Sequence, residues 1–99
     1  MKNSKVILLA EIFVKPEFLE AVKEAAIKSV RIALFKEPGV ESMTLTYKSD
    51  DPNCLIFFEV YASKEALDAH VKTEHAIQFF EFSSDKKIQP SKLTFLTEF

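Results

Sequence analysis

Three residues of this chain are suited to proton chemistry, namely Glu59, Tyr61 and His70. Glu59 and Tyr61 lie two residues apart in a predicted strand, so their side chains project from the same face. His70 ends the helix that follows, and a histidine beside a carboxylate can hold or relay a proton near neutral pH. We therefore predict that His70 is a general base on an acidic phenol or enediol, that Glu59 sets its tautomer, and that Tyr61 binds the substrate oxygen. The alternative is a structural hydrogen bond between Glu59 and His70.

Four further side chains are candidates for substrate binding. Phe57 and Phe80 suit a pocket for a flat aromatic ligand, although core packing is the ordinary use of phenylalanine. Tyr47 is a candidate hydrogen-bonding wall. His75 follows His70 by five residues, roughly 140° round a continuous helix, so no shared metal site is expected and His75 is placed at the cavity mouth or a helix cap.

Composition excludes several classes of function. The single glycine, Gly39, excludes a dinucleotide fingerprint and a phosphate-binding loop, and the single cysteine, Cys54, excludes an internal disulfide or a multi-cysteine zinc site. With a net charge of −2 and no arginine-rich block, the chain lacks the footprint of a nucleic-acid binder. The N-terminal apolar run is too short for a membrane span and has no cleavage site, so we expect a cytoplasmic protein.

The chain length and apolar pattern predict one α+β domain over residues 1–99. Strands are predicted at residues 6–14, 42–48, 55–61 and 93–99, and a turn cluster is predicted at residues 50–53. The first and third strands are apolar at both parities, so they are expected to be central. A first helix is predicted from Pro16 until Pro38 stops it, and Gly39 supplies turn freedom, so Glu37-Pro38-Gly39 separates this helix from the next strand. Further helices are predicted at residues 64–70 after the cap Ser63, and from the cap Thr73 through Phe80. This order matches the ferredoxin-like split βαβ arrangement, an antiparallel sheet with helices on one face. Apolar residues on the other face favour a homodimer that packs through its sheet faces.

Several short motifs in sequence order together carry a resemblance to a known family. They are Lys15-Pro16-Glu17, Glu37-Pro38-Gly39-Val40, Asp51-Pro52, Phe58-Glu59-Val60-Tyr61, the segment from Ser63 to His70, and His75. On these motifs the chain resembles the antibiotic biosynthesis monooxygenase domain family. The resemblance implies a dimeric α/β barrel with a mostly apolar cavity between the sheet and the helices of each protomer.

The family includes oxygenases that oxidise quinols and aromatic polyketides without metal or flavin, haem-degrading enzymes, and the isomerase of phosphorylated autoinducer-2. The haem-degrading members carry tryptophan where this chain has His70 and a haem-ligating histidine where it has Phe80, so haem degradation is not expected. The chain looks closer to the quinol monooxygenase and isomerase branches.

Three functions stay open from the sequence. The first is a cofactor-independent monooxygenase acting on a small quinol or phenol, with His70 as the base. The second is an isomerase or tautomerase of a small phosphorylated dicarbonyl, for which Lys15, Lys48 and Lys72 are the nearest cationic contacts. The third is a non-catalytic, ligand-binding dimer.

Overall fold

The computed structural model describes residues 5–99, so residues 1–4 at the start of the stretch considered for a targeting signal lie outside it. Four strands and three α-helices, with one short 3₁₀ helix at Pro16–Phe18, make up the fold. They are β1 (Val6–Phe13), α1 (Leu19–Lys36), β2 (Val40–Lys48), β3 (Asp51–Tyr61), α2 (Lys64–His70), α3 (Glu74–Ser83) and β4 (Lys92–Leu96). Among these described residues, no helix is both long and apolar enough to cross a membrane.

The strands form one antiparallel sheet in the order β2-β3-β1-β4. This order and the intervening helices confirm the predicted ferredoxin-like α+β fold. The two most apolar strands, β1 and β3, are central, as their composition requires. Their register places Leu8 opposite Glu59, and Met43 of β2 lies opposite Glu59 on its other side.

Alternation along the strands assigns the two faces of the sheet. Leu8, Ala10 and Ile12 of β1 are buried beneath the helices, whereas the residues between them are only partly buried on the opposite face. On β3 the helix-facing set contains Phe57, Glu59 and Tyr61. The core forms between this face and α1, whose buried side chains are Val22, Ala26, Val30 and Ala33.

The break between α2 and α3 is made by Thr73. Its hydroxyl donates to the His70 carbonyl at 2.7 Å and accepts from the Ala76 N–H at 3.2 Å. Thr73 thus satisfies the end of one helix and caps the start of the next, as its sequence position predicts. The chain therefore changes direction between His70 and His75.

Two local predictions are wrong. Asp51, Pro52 and Asn53, expected in a turn, are the first residues of β3, and the turn is confined to residues 49–50. Gly39 was expected to supply turn freedom, but its φ is not positive. An added Cβ there would lie 2.6 Å from the Cβ of Ala66, so the glycine instead permits α2 to pack closely against the start of β2.

Candidate active site

The centre of the candidate site is Glu37, the residue that ends α1. Its backbone N–H donates to the Ala33 carbonyl at 2.9 Å, and Pro38 prevents the helix from continuing. Glu37 Oε2 accepts a hydrogen bond from His70 Nδ1 at 2.9 Å and another from His75 Nε2 at 2.5 Å. The three side chains are 12%, 9% and 11% exposed, respectively, so these contacts are shielded from water.

The expectation that His70 and His75 lie apart is wrong. It assumed one continuous helix, whereas the chain bends at Thr73 and brings the two rings to a centroid separation of 5.9 Å. The Glu37-Pro38-Gly39 segment was interpreted as punctuation between a helix and a strand. Its carboxylate was missed because nothing in local sequence indicates that a helix-ending glutamate faces two histidines more than 30 positions away.

This contact pattern fixes the protons on the imidazole rings. A carboxylate has acceptors only, so His70 Nδ1 and His75 Nε2 must donate. A neutral His70 then has its lone pair on Nε2, the ring nitrogen that Glu37 does not engage. Glu37, rather than Glu59, is thus the carboxylate that orients His70.

Glu59 and Tyr61 form a separate buried pair on β3. The Tyr61 hydroxyl donates to Glu59 Oε1 at 2.5 Å, and the Tyr61 ring lies 5.6 Å from the His70 ring, centroid to centroid. Burial raises the pKa of the Glu59 carboxyl, although the Tyr61 hydrogen bond and the neighbouring His70 oppose that shift. Burial and the adjacent Glu59 also raise the pKa of Tyr61, which keeps it a neutral phenol.

A cavity of about 620 Å³ lies between the sheet and the helices. His70, Glu59, Tyr61, Phe57 and Phe80 all line it. Most of the remaining wall is apolar and comes from β1, α3 and β4, including Leu8, Ile12, Phe79, Leu93 and Phe95. The volume and the character of this wall suit a small aromatic molecule.

Two of the expected substrate-binding residues lie outside this lining. Tyr47 is 56% exposed near the end of β2, so it does not form the predicted cavity wall. His75 borders a second, smaller pocket of about 230 Å³ and is linked to the main site by its hydrogen bond to Glu37 and its ring contact with His70.

The cationic residue in the cavity lining is Lys87. Neither Lys15 nor Lys48 nor Lys72 lines the cavity, so the contacts suggested for a phosphate are wrong. Lys87 follows α3, where the backbone bridges to Val14 just beyond β1. A polar loop in the sequence gave no indication that its lysine would face an apolar cavity.

Glu37, His70 and His75 also form a possible metal-binding set. One ligand atom from each lies within 4.8 Å of the others, and two histidines with one carboxylate are a common donor set for divalent transition metals. The same atoms engage one another in hydrogen bonds. A metal ion would have to replace the two ring protons that hold this cluster together.

Comparison with known proteins agrees with this fold. The sequence profile described as antibiotic biosynthesis monooxygenase matches residues 5–81. The uncharacterised protein sll1783 of Synechocystis is 30% identical over 94 residues, which is 92% of this chain. This chain spans only 61% of the length of that relative.

Solved structures show the same architecture. A Bacteroides thetaiotaomicron protein, provisionally named an antibiotic biosynthesis monooxygenase, superposes with a TM-score of 0.91 at 25% identity, over 96% of this chain and 90% of its own. A Lactobacillus acidophilus protein, provisionally named a monooxygenase, superposes with a TM-score of 0.91 at 31% identity, over 97% of this chain and 45% of its own. Rv0793 of Mycobacterium tuberculosis superposes with a TM-score of 0.89 at 24% identity, over 97% of this chain and 96% of its own. This likeness concerns the fold alone.

Proposed function

Because the chain belongs to the antibiotic biosynthesis monooxygenase family, we propose that it is a cofactor-independent monooxygenase that oxidises a small quinol or phenol with O₂. The observation that carries the proposal is the placement of His70. Its ring lines an apolar cavity while its Nδ1 is held by the buried carboxylate of Glu37. A base oriented in a dry pocket is what this reaction requires of a protein.

The first step is removal of the phenolic proton by His70 Nε2. Glu37 holds the Nδ1 proton and stabilises the imidazolium that forms, which makes Glu37 the positioning residue and His70 the catalytic one. The product is an electron-rich phenolate inside a cavity whose wall is mostly apolar. Poor solvation of that anion favours transfer of its electrons to a neutral acceptor.

O₂ accepts these electrons, and its two oxygen atoms are divided between the oxidised product and water. The phenolate transfers one electron to O₂, and the resulting radical pair joins at a ring carbon to give a peroxide, which takes the proton from His70. Loss of the hydrogen on that ring carbon with cleavage of the O–O bond releases water and leaves a carbonyl. One oxygen atom enters the quinone, the other becomes water, and the substrate supplies all four electrons.

Glu59 and Tyr61 have revised roles in this scheme. The Tyr61 hydroxyl donates its proton to a hydrogen bond with Glu59 Oε1, so Tyr61 acts on the substrate through Glu59. Burial raises the pKa of Glu59, and when the carboxyl is protonated its Oε2 can donate to the substrate or peroxide oxygen. Tyr61 therefore positions Glu59, and Glu59 contacts the substrate.

The homodimer is also part of the proposal. The sheet face opposite the helices carries Ile7, Leu9, Phe58 and Leu96 beside polar threonines of β2. Phe58 and Leu96 are exposed in the single chain. A second copy that presents the same face would cover them, since a two-fold interface is self-complementary.

A second candidate activity uses the same base. Deprotonation next to a carbonyl would isomerise a small phosphorylated dicarbonyl, and Lys87 in the cavity lining favours an anionic ligand of that kind. We rank it second because the rest of the wall is mostly apolar and aromatic. This reaction consumes no O₂, so oxygen uptake separates the two activities.

The test is oxygen uptake by metal-free protein with a panel of naphthoquinols and anthrones, corrected for autoxidation. Wild type should exceed the background, and His70→Ala should return to it, while Arg31→Ala, an exposed control in neither pocket lining, should match wild type. Circular dichroism of each protein checks the fold. If folded wild-type protein takes up no oxygen with any substrate, the oxygenase proposal is contradicted and proton-transfer assays on phosphorylated dicarbonyls follow.

A further inference from the structure

Polar side chains line the cavity on several elements, and besides the two groups considered below they are Ser29, Tyr61, Asp68, Ser83 and Ser84. Two places are separated along the sheet. One group contains His70 and Glu59, and the other contains Lys87 and Ser91. At the second place Lys87 Nζ donates to Ser91 Oγ at 3.1 Å. Between the two, β1 contributes Leu8, Ala10 and Ile12, which are apolar.

The charge of Lys87 is not balanced by a neighbour. Among residues 5–99, no carboxylate lies within ion-pair distance of its ammonium group, whereas the adjacent Lys86 pairs with Asp85 at 3.1 Å. Lys87 is only partly exposed. A partly desolvated ammonium group with one neutral hydrogen-bond partner retains two donors for an anion.

The sheet register gives the spacing between the two places. Glu59 lies opposite Leu8 on β1, and Lys92, the residue after Ser91, lies opposite Glu11. Leu8 and Glu11, which mark these two pairings, are three residues apart along β1, which corresponds to about 10 Å. Ser91 lies one residue beyond the second row, so the two polar groups lie at opposite ends of an elongated apolar space.

We infer that the cavity binds an elongated aromatic acid, with its hydroxyl group near His70 and its carboxylate bound by Lys87 and Ser91. The apolar rings would then lie along β1 between Phe57 and Leu93. This orientation rests on the proposed function for the hydroxyl end, whereas the carboxylate end rests on Lys87 alone. A carboxylate accepts hydrogen bonds from an ammonium and a hydroxyl group together, and it neutralises the unpaired charge.

The experiment measures binding without turnover. Affinities of 6-hydroxy-2-naphthoate and 2-naphthol, which differ by the carboxylate, are determined by anaerobic calorimetry. Wild type should bind the acid about 10-fold more tightly, the difference expected of one charge-assisted hydrogen bond. Lys87→Met should remove this preference, Lys87→Arg should retain it, and the matched control Lys86→Met, outside the cavity, should also retain it.

Two results would overturn the inference. One is equal affinity of wild type for both ligands, or binding of neither. The other is a preference for the acid that survives in Lys87→Met. Failure of this inference and failure of the proposed function give different results. A protein that prefers the acid through Lys87 and yet consumes no O₂ contradicts only the oxygenase assignment.

Discussion

Replacement of Glu37 by glutamine removes one charge and leaves the side-chain shape unchanged. Glu37 Oε2 accepts both histidines, and Oε1 lies 3.2 Å from His70 Nδ1. In Glu37→Gln the amide oxygen can keep the Oε2 position. The amide nitrogen then faces the Nδ1 proton of His70, donor against donor. His70 can relieve this contact by moving its proton to Nε2, which removes the base.

The expected loss is large in activity and moderate in stability. Each of two charge-assisted hydrogen bonds becomes a neutral one, which costs about 1 kcal/mol per bond. The free energy of unfolding should therefore fall by about 2 kcal/mol, and Tm by about 8–16 °C for a domain of this size. The wrong histidine tautomer should lower kcat for oxygen uptake by about 10²- to 10⁴-fold.

The assay pairs thermal unfolding with oxygen uptake below the Tm of the variant. Glu20→Gln is the matched control, since Glu20 is exposed and, among residues 5–99, its one ion pair is with Lys23 on the surface of α1. It should change stability by less than about 0.5 kcal/mol and leave kcat unchanged. A Glu37→Gln protein that loses stability but keeps kcat within about threefold of wild type would refute the orienting role of Glu37.

Three further predictions concern packing, pH and assembly. Gly39→Ala should lower the Tm and oxygen uptake together, because its Cβ meets Ala66 at 2.6 Å and displaces the helix that ends at His70; unchanged values would contradict this. Burial raises the pKa of Glu59 above its ordinary 4.5, so the folded state holds this proton more tightly than the unfolded state does. As pH rises through the folded pKa, wild type should therefore lose stability relative to Glu59→Gln. Urea unfolding of both proteins at about pH 4 and about pH 8 checks this. Phe58→Lys, on the open sheet face where Phe58 is 39% exposed, should convert the proposed dimer to a monomer in sedimentation velocity, and a dimer that persists would place the interface elsewhere.

The fold could be predicted from the sequence because its signals are local. Apolar residues at both parities marked β1 and β3 as central strands, and Ser63 and Thr73 marked two helix starts that the structure confirms. The turn before β3 was misplaced because Asp51, Pro52 and Asn53 are typical turn residues, yet they begin a strand next to the edge strand β2.

The site was predicted less completely because its contacts are not local. The shared face of Glu59 and Tyr61 follows from strand alternation, and the two side chains do form a hydrogen bond. The partner of His70 depends on how closely α2 approaches the end of α1, which the missing Cβ of Gly39 decides. Lys87 reaches the cavity only because the loop after α3 bridges to Val14. Neither approach leaves a periodic signal in the sequence.

The central claim is that His70, held by Glu37, takes the proton from a phenolic substrate. The most direct measurement is anaerobic stopped-flow absorbance with an anthrone, in which no oxygen is present and only deprotonation can occur. The account predicts that wild type forms the absorbance of the bound anion, that His70→Ala forms none, and that admission of O₂ discharges it. Formation of the anion by His70→Ala at the wild-type rate and extent would contradict the account.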